Sequence, residues 1–371
     1  MKDYYFKTES DTEVLLASFI TWGKECLTRF VGMFAFCIYD TLNKEAFLAR
    51  DHFGQKPIFL YQESDRLIFS SEIKAILATG VKPIPDYETW SRYLISASYD
   101  DDSATFFKGI SQLIPGEYAI WDMQKGLRKY KYYSLSRNIG NNKSDIVEVA
   151  NMTRELLVHS AKIHMRSDVP VGVSLSGGLD SSVLLACLNM SGDINKHLRC
   201  VSLEYADSLS ESMWIEAAAS HHGLKSTLET FTSEEFLNSI EPLMWHLEAP
   251  IGGLPNCALA GLMARAGKLG IKVIQDGTGL DEAFAGYRNH HNLFLGSMIK
   301  KNDPATKKMI SEYASNWGVT EEVAKTSALN EMKNSITAID GTIPVRIDLL
   351  SPDFRKKYSG VVSRKVSTGS R

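Results

Sequence analysis

The 371 residues of this chain carry a formal net charge of -3, with 44% hydrophobic and 23% charged residues. This length accommodates about two domains of ordinary size, and the average composition excludes a disordered or fibrous chain. The small net charge excludes a strong whole-chain attraction to nucleic acid or to an anionic membrane, so we expect small-molecule partners.

The cysteines show neither a CxxC pair nor the spacing of zinc ligands, and they are Cys26, Cys37, Cys187, Cys200 and Cys257. Such scattered cysteines are typical of buried free thiols in a reducing compartment. The first residues form no apolar signal core. The sequence also contains no run of about 18 apolar residues, which is the length needed to span a bilayer. We therefore expect a cytosolic protein.

The first third of the chain alternates short apolar runs with turn residues, at 33–40, 46–50, 58–61 and 67–69. Their aromatic and β-branched content favours an antiparallel sheet. With helices expected at 12–24 and 71–79, residues 1–140 are predicted to form an α+β domain.

A Ser-, Asn- and Gly-rich segment at 133–145 indicates a linker, so we place the domain boundary near residue 140. Beyond it, strands are predicted at 169–175, 198–203 and 271–275, and helices at 181–188, at 212–221 and over most of 290–371. Strands that alternate with helices pair in parallel, which predicts a doubly wound α/β sheet for 141–371. Ligands of such sheets bind beyond the carboxyl ends of the strands.

The run Ser176-Gly177-Gly178-Leu179-Asp180-Ser181-Ser182 directly follows the first of these strands and leads into a helix. Adjacent glycines, serine hydroxyls and the unpaired amides of a helix N-terminus favour phosphate binding. A carboxylate in an anion loop repels the ligand unless a cation lies between them, so Asp180 is predicted to bind Mg²⁺. The loop lacks the lysine of a Walker motif. The alternative to a phosphate-binding loop is a Gly-Gly turn that is capped by serine and has only a structural role.

A second loop, Asp276-Gly277-Thr278-Gly279-Leu280-Asp281-Glu282, follows the strand 271–275. Its glycines permit close approach of the backbone to a ligand. An Asp-Glu pair at the start of a helix usually serves only to interact favourably with the helix dipole. Because this loop is predicted to face the first loop, we expect Asp281 to join Asp180 in holding Mg²⁺ against the leaving pyrophosphate.

The first loop matches the pyrophosphatase loop of N-type ATP pyrophosphatases, and the whole sequence resembles the glutamine-dependent asparagine synthetases. The matching runs lie at 10–16, 32–36, 48–57, 69–74, 167–173, 248–250 and 276–287. The resemblance implies a doubly wound parallel sheet of the adenine nucleotide alpha hydrolase-like kind. A smaller α+β remnant of an N-terminal-nucleophile glutaminase domain would precede it.

The resemblance also implies an enzyme that adenylates a carboxylate, aspartate in the family, with ATP and Mg²⁺ and then transfers ammonia to it. The implied ATP-binding residues are Leu175, Ser176, Gly177, Gly178, Asp180, Ser181, Ser182, Leu203, Asp276 and Gly277. Asp180 and Asp281 would hold Mg²⁺, and Glu282 would be left to pair with a backbone amide or a cation. Asp11 would be a remnant of the glutamine site.

The sequence departs from the family at three places. The family's glutaminase uses an N-terminal cysteine whose own α-amine acts as base, whereas residue 1 is Met and Cys26 and Cys37 are internal. We therefore expect an inactive glutaminase half. Thr278 occupies the position of a family glutamate tied to aspartyl-adenylate formation, which puts aspartate as substrate in question. The family's C-terminal catalytic lysine segment lies outside this sequence.

Three functions stay open at this point. The first is an ammonia-using amide ligase of the asparagine synthetase kind. The second keeps the adenylation but uses another carboxylate, either in a cyclisation like that of β-lactam synthetases or in amidation of a sugar carboxylate. The third is a non-catalytic nucleotide-binding remnant. A small-molecule carboxylate and ammonia are the expected partners, a homodimer stays open, and neither nucleic acid nor membrane is expected.

Overall fold

A computed structural model describes residues 4–96, 100, 102–135, 145–194, 198–205, 211–333 and 350–362. The chain divides into two units, one formed by 1–141 with 343–371 and the other by 142–342. Within the described residues, the helices are all too short or too polar to cross a bilayer.

The described helices and strands follow one another in the following order. The helices are α1 (Asp11–Trp22), α2 (Ile73–Leu77), α3 (Tyr87–Ser96), α4 (Ile146–His164), α5 (Leu179–Ser191), α6 (Ser212–His221), α7 (Ser233–Leu247), α8 (Leu254–Lys268), α9 (Leu280–Phe284), α10 (Arg288–Lys301), α11 (Thr306–Trp317), α12 (Glu321–Lys333) and α13 (Pro352–Val362), with a 3₁₀ helix at Gly23–Arg29. The strands are β1 (Ala35–Asp40), β2 (Glu45–Arg50), β3 (Phe59–Glu63), β4 (Arg66–Ser70), β5 (Ile110–Gln112), β6 (Glu117–Asp122), β7 (Gly126–Lys131), β8 (Val171–Ser174), β9 (Arg199–Tyr205), β10 (Ser226–Phe231) and β11 (Val273–Gln275).

The first unit contains two antiparallel sheets, with strand orders β1-β2-β6-β7 and β4-β3-β5. Alternate residues of a strand point to opposite sides. Consecutive residues of β2 are buried, so both faces of this strand are covered. Leu48 packs in an aliphatic cluster with Leu60 of the second sheet. Phe47 packs in an aromatic cluster with Phe19 of α1. The predicted α+β fold with an antiparallel sheet is confirmed.

Helix α13 groups with the first unit, whereas the sequence-based assignment placed all of 141–371 in the second domain. The Tyr358 ring of α13 lies 6.4 Å from the Tyr87 ring of α3. Such a contact joins residues far apart in sequence, and no local pattern of residues announces it. The described helix α13 is therefore assigned to the first unit.

The second unit is built on a parallel sheet with the strand order β10-β9-β8-β11. The chain first adds β9 and β10 on one side of β8 and then returns to add β11 on the other side. This reversal makes the gap between β8 and β11 the switch point of the sheet, where α/β proteins bind ligands. The predicted doubly wound parallel sheet is confirmed.

Helices cover both faces of this sheet. On one face, Leu185 and Leu188 of α5 and Ile215 of α6 pack with Cys200 of β9. On the other face, the neighbouring Val201 packs with α8. Each fully buried leucine or isoleucine contributes about 1.5 to 3 kcal/mol by its removal from water. The strand ends that carry the two loops are therefore fixed on a packed core.

Candidate functional site

The two predicted loops emerge side by side at one edge of the parallel sheet. The first loop, residues 176–182, follows β8, and the second loop, residues 276–282, follows β11. Because β8 and β11 pair directly and run in parallel, both loops leave the carboxyl edge of the sheet at the switch point. The structure thus brings together the two polar runs that the sequence places about 100 residues apart.

Position 177 favours glycine for two reasons, its backbone conformation and the little space around its Cα. Its φ of +77° lies in the left-handed region, which residues with a side chain rarely adopt. A Cβ at this position would also lie 3.1 Å from Trp214 Cβ and 3.3 Å from the Glu211 carbonyl oxygen. The loop therefore passes closely under the start of α6.

Serine hydroxyls brace the first loop from within. The Ser176 backbone N–H donates to Ser181 Oγ at 3.2 Å, and the Gly178 N–H donates to Ser176 Oγ at 3.3 Å. Ser182 Oγ donates to the Gly178 carbonyl oxygen at 2.8 Å. Ser181 is only 3% exposed. The Ser181 hydroxyl thus orders the loop, and the ligand contact predicted for it stays a prediction.

The loop continues into the first turn of α5, whose N-cap is Gly178. The first amides of a helix have no partner within the helix, and the helix dipole is positive there. Ser176 and Gly178 are exposed residues beside it, so this end of α5 has the properties of an anion site.

The second loop touches the first through Gly277. A Cβ on Gly277 would lie 2.8 Å from the Asp180 carbonyl carbon and 2.9 Å from the Ser181 backbone nitrogen. The Asp281 N–H donates to Asp180 Oδ2 at 3.2 Å. The two loops are therefore in direct contact, and the Asp180 carboxylate is held by a backbone amide of the second loop.

Three carboxylates, those of Asp180, Asp281 and Glu282, lie near one another at this contact. Burial raises the pKa of Asp180, and the charges of Asp281 and then Glu282 add to that effect. Among the described residues, none of the three has a Lys, Arg or His at ion-pair distance. The site thus concentrates negative charge that a cation would neutralise.

The carboxylate oxygens of Asp180 and Asp281 are of the ligand type that Mg²⁺ prefers. The described part of the chain contains no group of three or more His, Cys, Asp and Glu residues arranged to hold a metal ion. Magnesium in nucleotide sites uses one or two carboxylates and takes its remaining ligands from phosphates and water. Asp180 and Asp281 supply that number of carboxylates.

Two further predicted residues occupy the second loop. The Thr278 N–H donates to Asp276 Oδ1 at 3.0 Å, which closes a turn and uses part of the Asp276 carboxylate. The Thr278 side chain is exposed. It therefore presents an uncharged hydroxyl to solvent, at the position where the family resemblance implies a glutamate.

The remaining predicted residues lie farther from this contact or in the core. Leu175 is fully buried and its N–H donates to the Val201 carbonyl oxygen at 3.1 Å, so its side chain belongs to the core. Leu203, which lies in β9, is half-buried and packs against the cluster around Val201. Asp11 is exposed in the first turn of α1, in the first unit.

Sequence reasoning missed the role of Tyr287. Its hydroxyl donates to Glu282 Oε1 at 2.9 Å, so Glu282 has a phenol as its partner rather than the expected backbone amide or cation. This bond to Glu282 is the main cause that raises the pKa of Tyr287 to about 12. The only signal in the sequence is the closeness of Tyr287 to the Asp-Glu pair, since the turn that joins them is visible only in the fold.

Two protein-family models match the chain in succession. A glutamine amidotransferase domain matches residues 1–133, and asparagine synthase matches residues 152–341. The second match covers just over half of the chain and includes both loops of the candidate site.

Curated relatives agree with these matches. A putative glutamine-hydrolyzing asparagine synthetase 2 from Methanocaldococcus jannaschii is 32% identical over 80% of this chain and 57% of its own length. The amidase chyE from Penicillium rubens is 28% identical over 77% of this chain and 44% of its own length. Glutamine-hydrolyzing asparagine synthetase 1 from Bacillus subtilis is 27% identical over 84% of this chain and 49% of its own length. The chain spans about half the length of these relatives.

Among solved structures, the chain is similar to an NH3-dependent NAD synthetase from Campylobacter jejuni, with a TM-score of 0.27 and 9% identity, over 62% of this chain and 97% of that one. It is also similar to a glutamine-dependent NAD+ synthetase from Acinetobacter baumannii in complex with ADP, with a TM-score of 0.29 and 13% identity. That match covers 96% of this chain and 88% of the other. On the extent of the asparagine synthase match, the chain belongs to the asparagine synthase family, and the resemblance predicted from its motifs is confirmed.

Proposed function

We propose that this chain is an AMP-forming amide ligase that adenylates a carboxylate with ATP and Mg²⁺ and then transfers ammonia to the acyl group. The observation that most directly supports this proposal is the contact of Gly277 with Asp180, which joins the phosphate loop to a second acidic loop at the switch point. Family membership supports the same reaction class.

In this proposal the first loop receives the β- and γ-phosphates. The backbone amides of Gly177 and the first turn of α5 would donate to the leaving pyrophosphate, because they lie at the positive end of a helix. Ser181 keeps the loop in this shape through its bond from Ser176. The carboxylate oxygen attacks the α-phosphorus, the bond to the bridging α,β-oxygen breaks, and pyrophosphate leaves.

Asp180 and Asp281 would hold the metal ion. When bound, Mg²⁺ neutralises charge on the leaving pyrophosphate. Asp180 is oriented by the Asp281 N–H at 3.2 Å, so one residue of the second loop both positions its partner and contributes a carboxylate. In the second half-reaction, ammonia attacks the acyl carbon and loses a proton, and AMP leaves.

Thr278 favours a carboxylate substrate other than aspartate as a second candidate. Its hydroxyl is uncharged, and a charge-assisted hydrogen bond is roughly twice as strong as a neutral one. A site with this residue would hold a lysine or an ammonium group weakly. We therefore keep amidation or cyclisation of a non-aspartate carboxylate, β-lactam-synthetase-like or on a sugar, beside the aspartate reaction.

We further propose free ammonia as the nitrogen donor for this chain. Cys26 is fully buried, and burial raises the pKa of its thiol. Burial also raises the pKa of Cys37 to about 11. Since the thiolate is the nucleophile, neither cysteine is suited to attack glutamine, and glutamate release should not exceed the background rate.

ATP–pyrophosphate exchange with a panel of carboxylates tests the proposal. We expect one carboxylate to support exchange that Asp180→Ala abolishes. Asp168→Ala is the matched control, because Asp168 is an exposed aspartate just before β8, at the opposite end of the same strand. Exchange at the parental rate in Asp180→Ala would refute the site assignment. Absence of exchange with every carboxylate would favour a non-catalytic remnant.

A further inference from the structure

Helix α9 ends in a turn that returns over its own first residues. Ala285 has a φ of +58°, in the left-handed region that is costly for a residue with a side chain. Its N–H donates to the Asp281 carbonyl oxygen, and so does the Gly286 N–H at 2.8 Å. This reversal places residue 286 against residue 281.

Gly286 leaves space that the Asp281 carboxylate occupies. A Cβ on Gly286 would lie 1.8 Å from Asp281 Oδ1 and 2.6 Å from Asp281 Cγ, distances that no pair of atoms tolerates. The φ of Gly286 lies outside the left-handed region. The glycine is therefore required by the position of the Asp281 side chain and not by backbone conformation.

The Tyr287 hydroxyl restrains the carboxylate of Glu282, the residue next to Asp281. Adjacent residues of a helix point about 100° apart, so Asp281 and Glu282 start in different directions. Glu282 is exposed and has one more rotatable bond than an aspartate, which allows it to reach toward the Asp180 site. The bond from the Tyr287 hydroxyl to Glu282 Oε1, at 2.9 Å, restrains the Glu282 carboxylate against Tyr287.

We propose that residues 285–287, which we call the sorting turn, determine which of the two adjacent carboxylates faces the metal position. Gly286 admits the Asp281 side chain, and the Tyr287 hydroxyl holds Glu282 aside. Gly286 and Tyr287 are thus positioning residues. This inference rests on the proposed Mg²⁺-ATP function. A third carboxylate at the site would compete with the phosphate and water ligands that Mg²⁺ needs.

The test measures ATP binding by calorimetry in excess Mg²⁺ and in EDTA, and the ratio of the two dissociation constants gives the metal enhancement. Changes in residues that orient metal ligands typically cost 10- to 100-fold in metal affinity, so Tyr287→Phe should reduce the enhancement by about 10-fold or more. Binding in EDTA should be unchanged. The double variant Tyr287→Phe with Glu282→Gln should recover most of the enhancement, because a neutral amide no longer competes for the metal.

Tyr313→Phe is the matched control for loss of a tyrosine hydroxyl. Tyr313 lies in the same unit, is nearly buried, and donates to Asn292 Oδ1 at 2.6 Å while it accepts from Arg288 Nε at 3.1 Å. Its loss should lower thermal stability and leave the metal enhancement unchanged. An equal reduction in Tyr287→Phe and Tyr313→Phe would refute the sorting role.

Gly286→Ala tests the other half of the sorting turn. It should reduce the enhancement about as much as Asp281→Ala does, because the added methyl displaces the Asp281 carboxylate. Gly267→Ala is its control, since a Cβ at Gly267 in α8 meets nothing within 4 Å. That variant should bind ATP like the parent.

The outcomes separate this inference from the function on which it rests. A parent protein whose ATP binding shows no metal enhancement would refute both together. A parent with clear enhancement that Tyr287→Phe retains, or that Glu282→Gln does not restore, would refute the sorting turn alone. Parental enhancement in Gly286→Ala would refute the role of that glycine.

Discussion

Replacement of Gly277 by alanine tests whether the two loops form one site. The new Cβ would lie 2.8 Å from the Asp180 carbonyl carbon, whereas ordinary contacts begin at 3.4 Å. The loops must therefore separate by about 0.6 Å for the clash to be relieved. The nearest atoms are two backbone atoms and the Asp180 Cβ, and a rotamer change moves none of them. The bond from the Asp281 N–H to Asp180, now 3.2 Å, would lengthen with the separation.

This separation should affect activity more than folding. Overpacking of a close contact costs roughly 1 to 3 kcal/mol, and each kcal/mol lowers the melting temperature of a unit of this size by about 2 to 4 °C. A misplacement of about 1 Å costs on the order of 100-fold in rate, so about 0.6 Å should cost on the order of 10-fold in exchange.

The assay compares thermal unfolding and ATP–pyrophosphate exchange in Gly277→Ala and Gly267→Ala. Gly267→Ala should keep the exchange rate and gain up to about 1 kcal/mol, because alanine is the better helix former. An exchange rate and a melting temperature in Gly277→Ala that both equal those of the parent would refute the packing of the two loops.

Three further predictions concern stability. Gln275→Leu should raise the melting temperature by about 2 to 12 °C, because Gln275 Nε2 is buried without a hydrogen-bond partner among the described residues, which costs about 1 to 3 kcal/mol; a lower melting temperature would contradict this. Ala285→Gly should stabilise the protein by on the order of 0.5 kcal/mol in urea denaturation, since relief of the left-handed conformation exceeds the added entropy of the unfolded chain; a loss of stability would contradict it. The Thr232 backbone N–H and then the charge of Arg265 lower the pKa of Glu235 below its ordinary 4.5, so its contribution is present above pH 4.5 and is lost as the pH falls through the lower folded value. Glu235→Gln should therefore destabilise the protein in urea at pH 7 by about 1 kcal/mol, with much less effect at pH 3, and an equal loss at both pH values would contradict this.

The parallel sheet and its two loops could be predicted because their signals are local. An apolar strand followed by glycines and an acidic residue describes both the 176–182 and the 276–282 loop. Strand β10 was missed, because Leu228 and Phe231 are the only apolar residues of the run Ser226–Phe231 and the strand lies at the edge of the sheet. Edge strands bury less surface, so their hydrophobic signal is weaker than that of β8 or β9.

Roles that depend on three-dimensional contacts could not be predicted. The bond that the buried Ser181 hydroxyl accepts from the Ser176 N–H depends on the shape of the folded loop, which the sequence does not show. The bond from Tyr287 to Glu282 depends on the left-handed residue at Ala285, and an alanine gives no sequence sign of that conformation. The contact of α13 with α3 is likewise non-local.

Transfer of an oxygen isotope tests the central claim most directly. The carboxylate that supports exchange is labelled with ¹⁸O in its carboxyl group and incubated with the protein, Mg²⁺-ATP and ammonia, and the products are examined by mass spectrometry. Attack of the carboxylate on the α-phosphorus predicts AMP that carries one ¹⁸O atom, together with unlabelled pyrophosphate. Label in inorganic phosphate with formation of ADP, or unlabelled AMP beside the amide product, would contradict adenylation at this site.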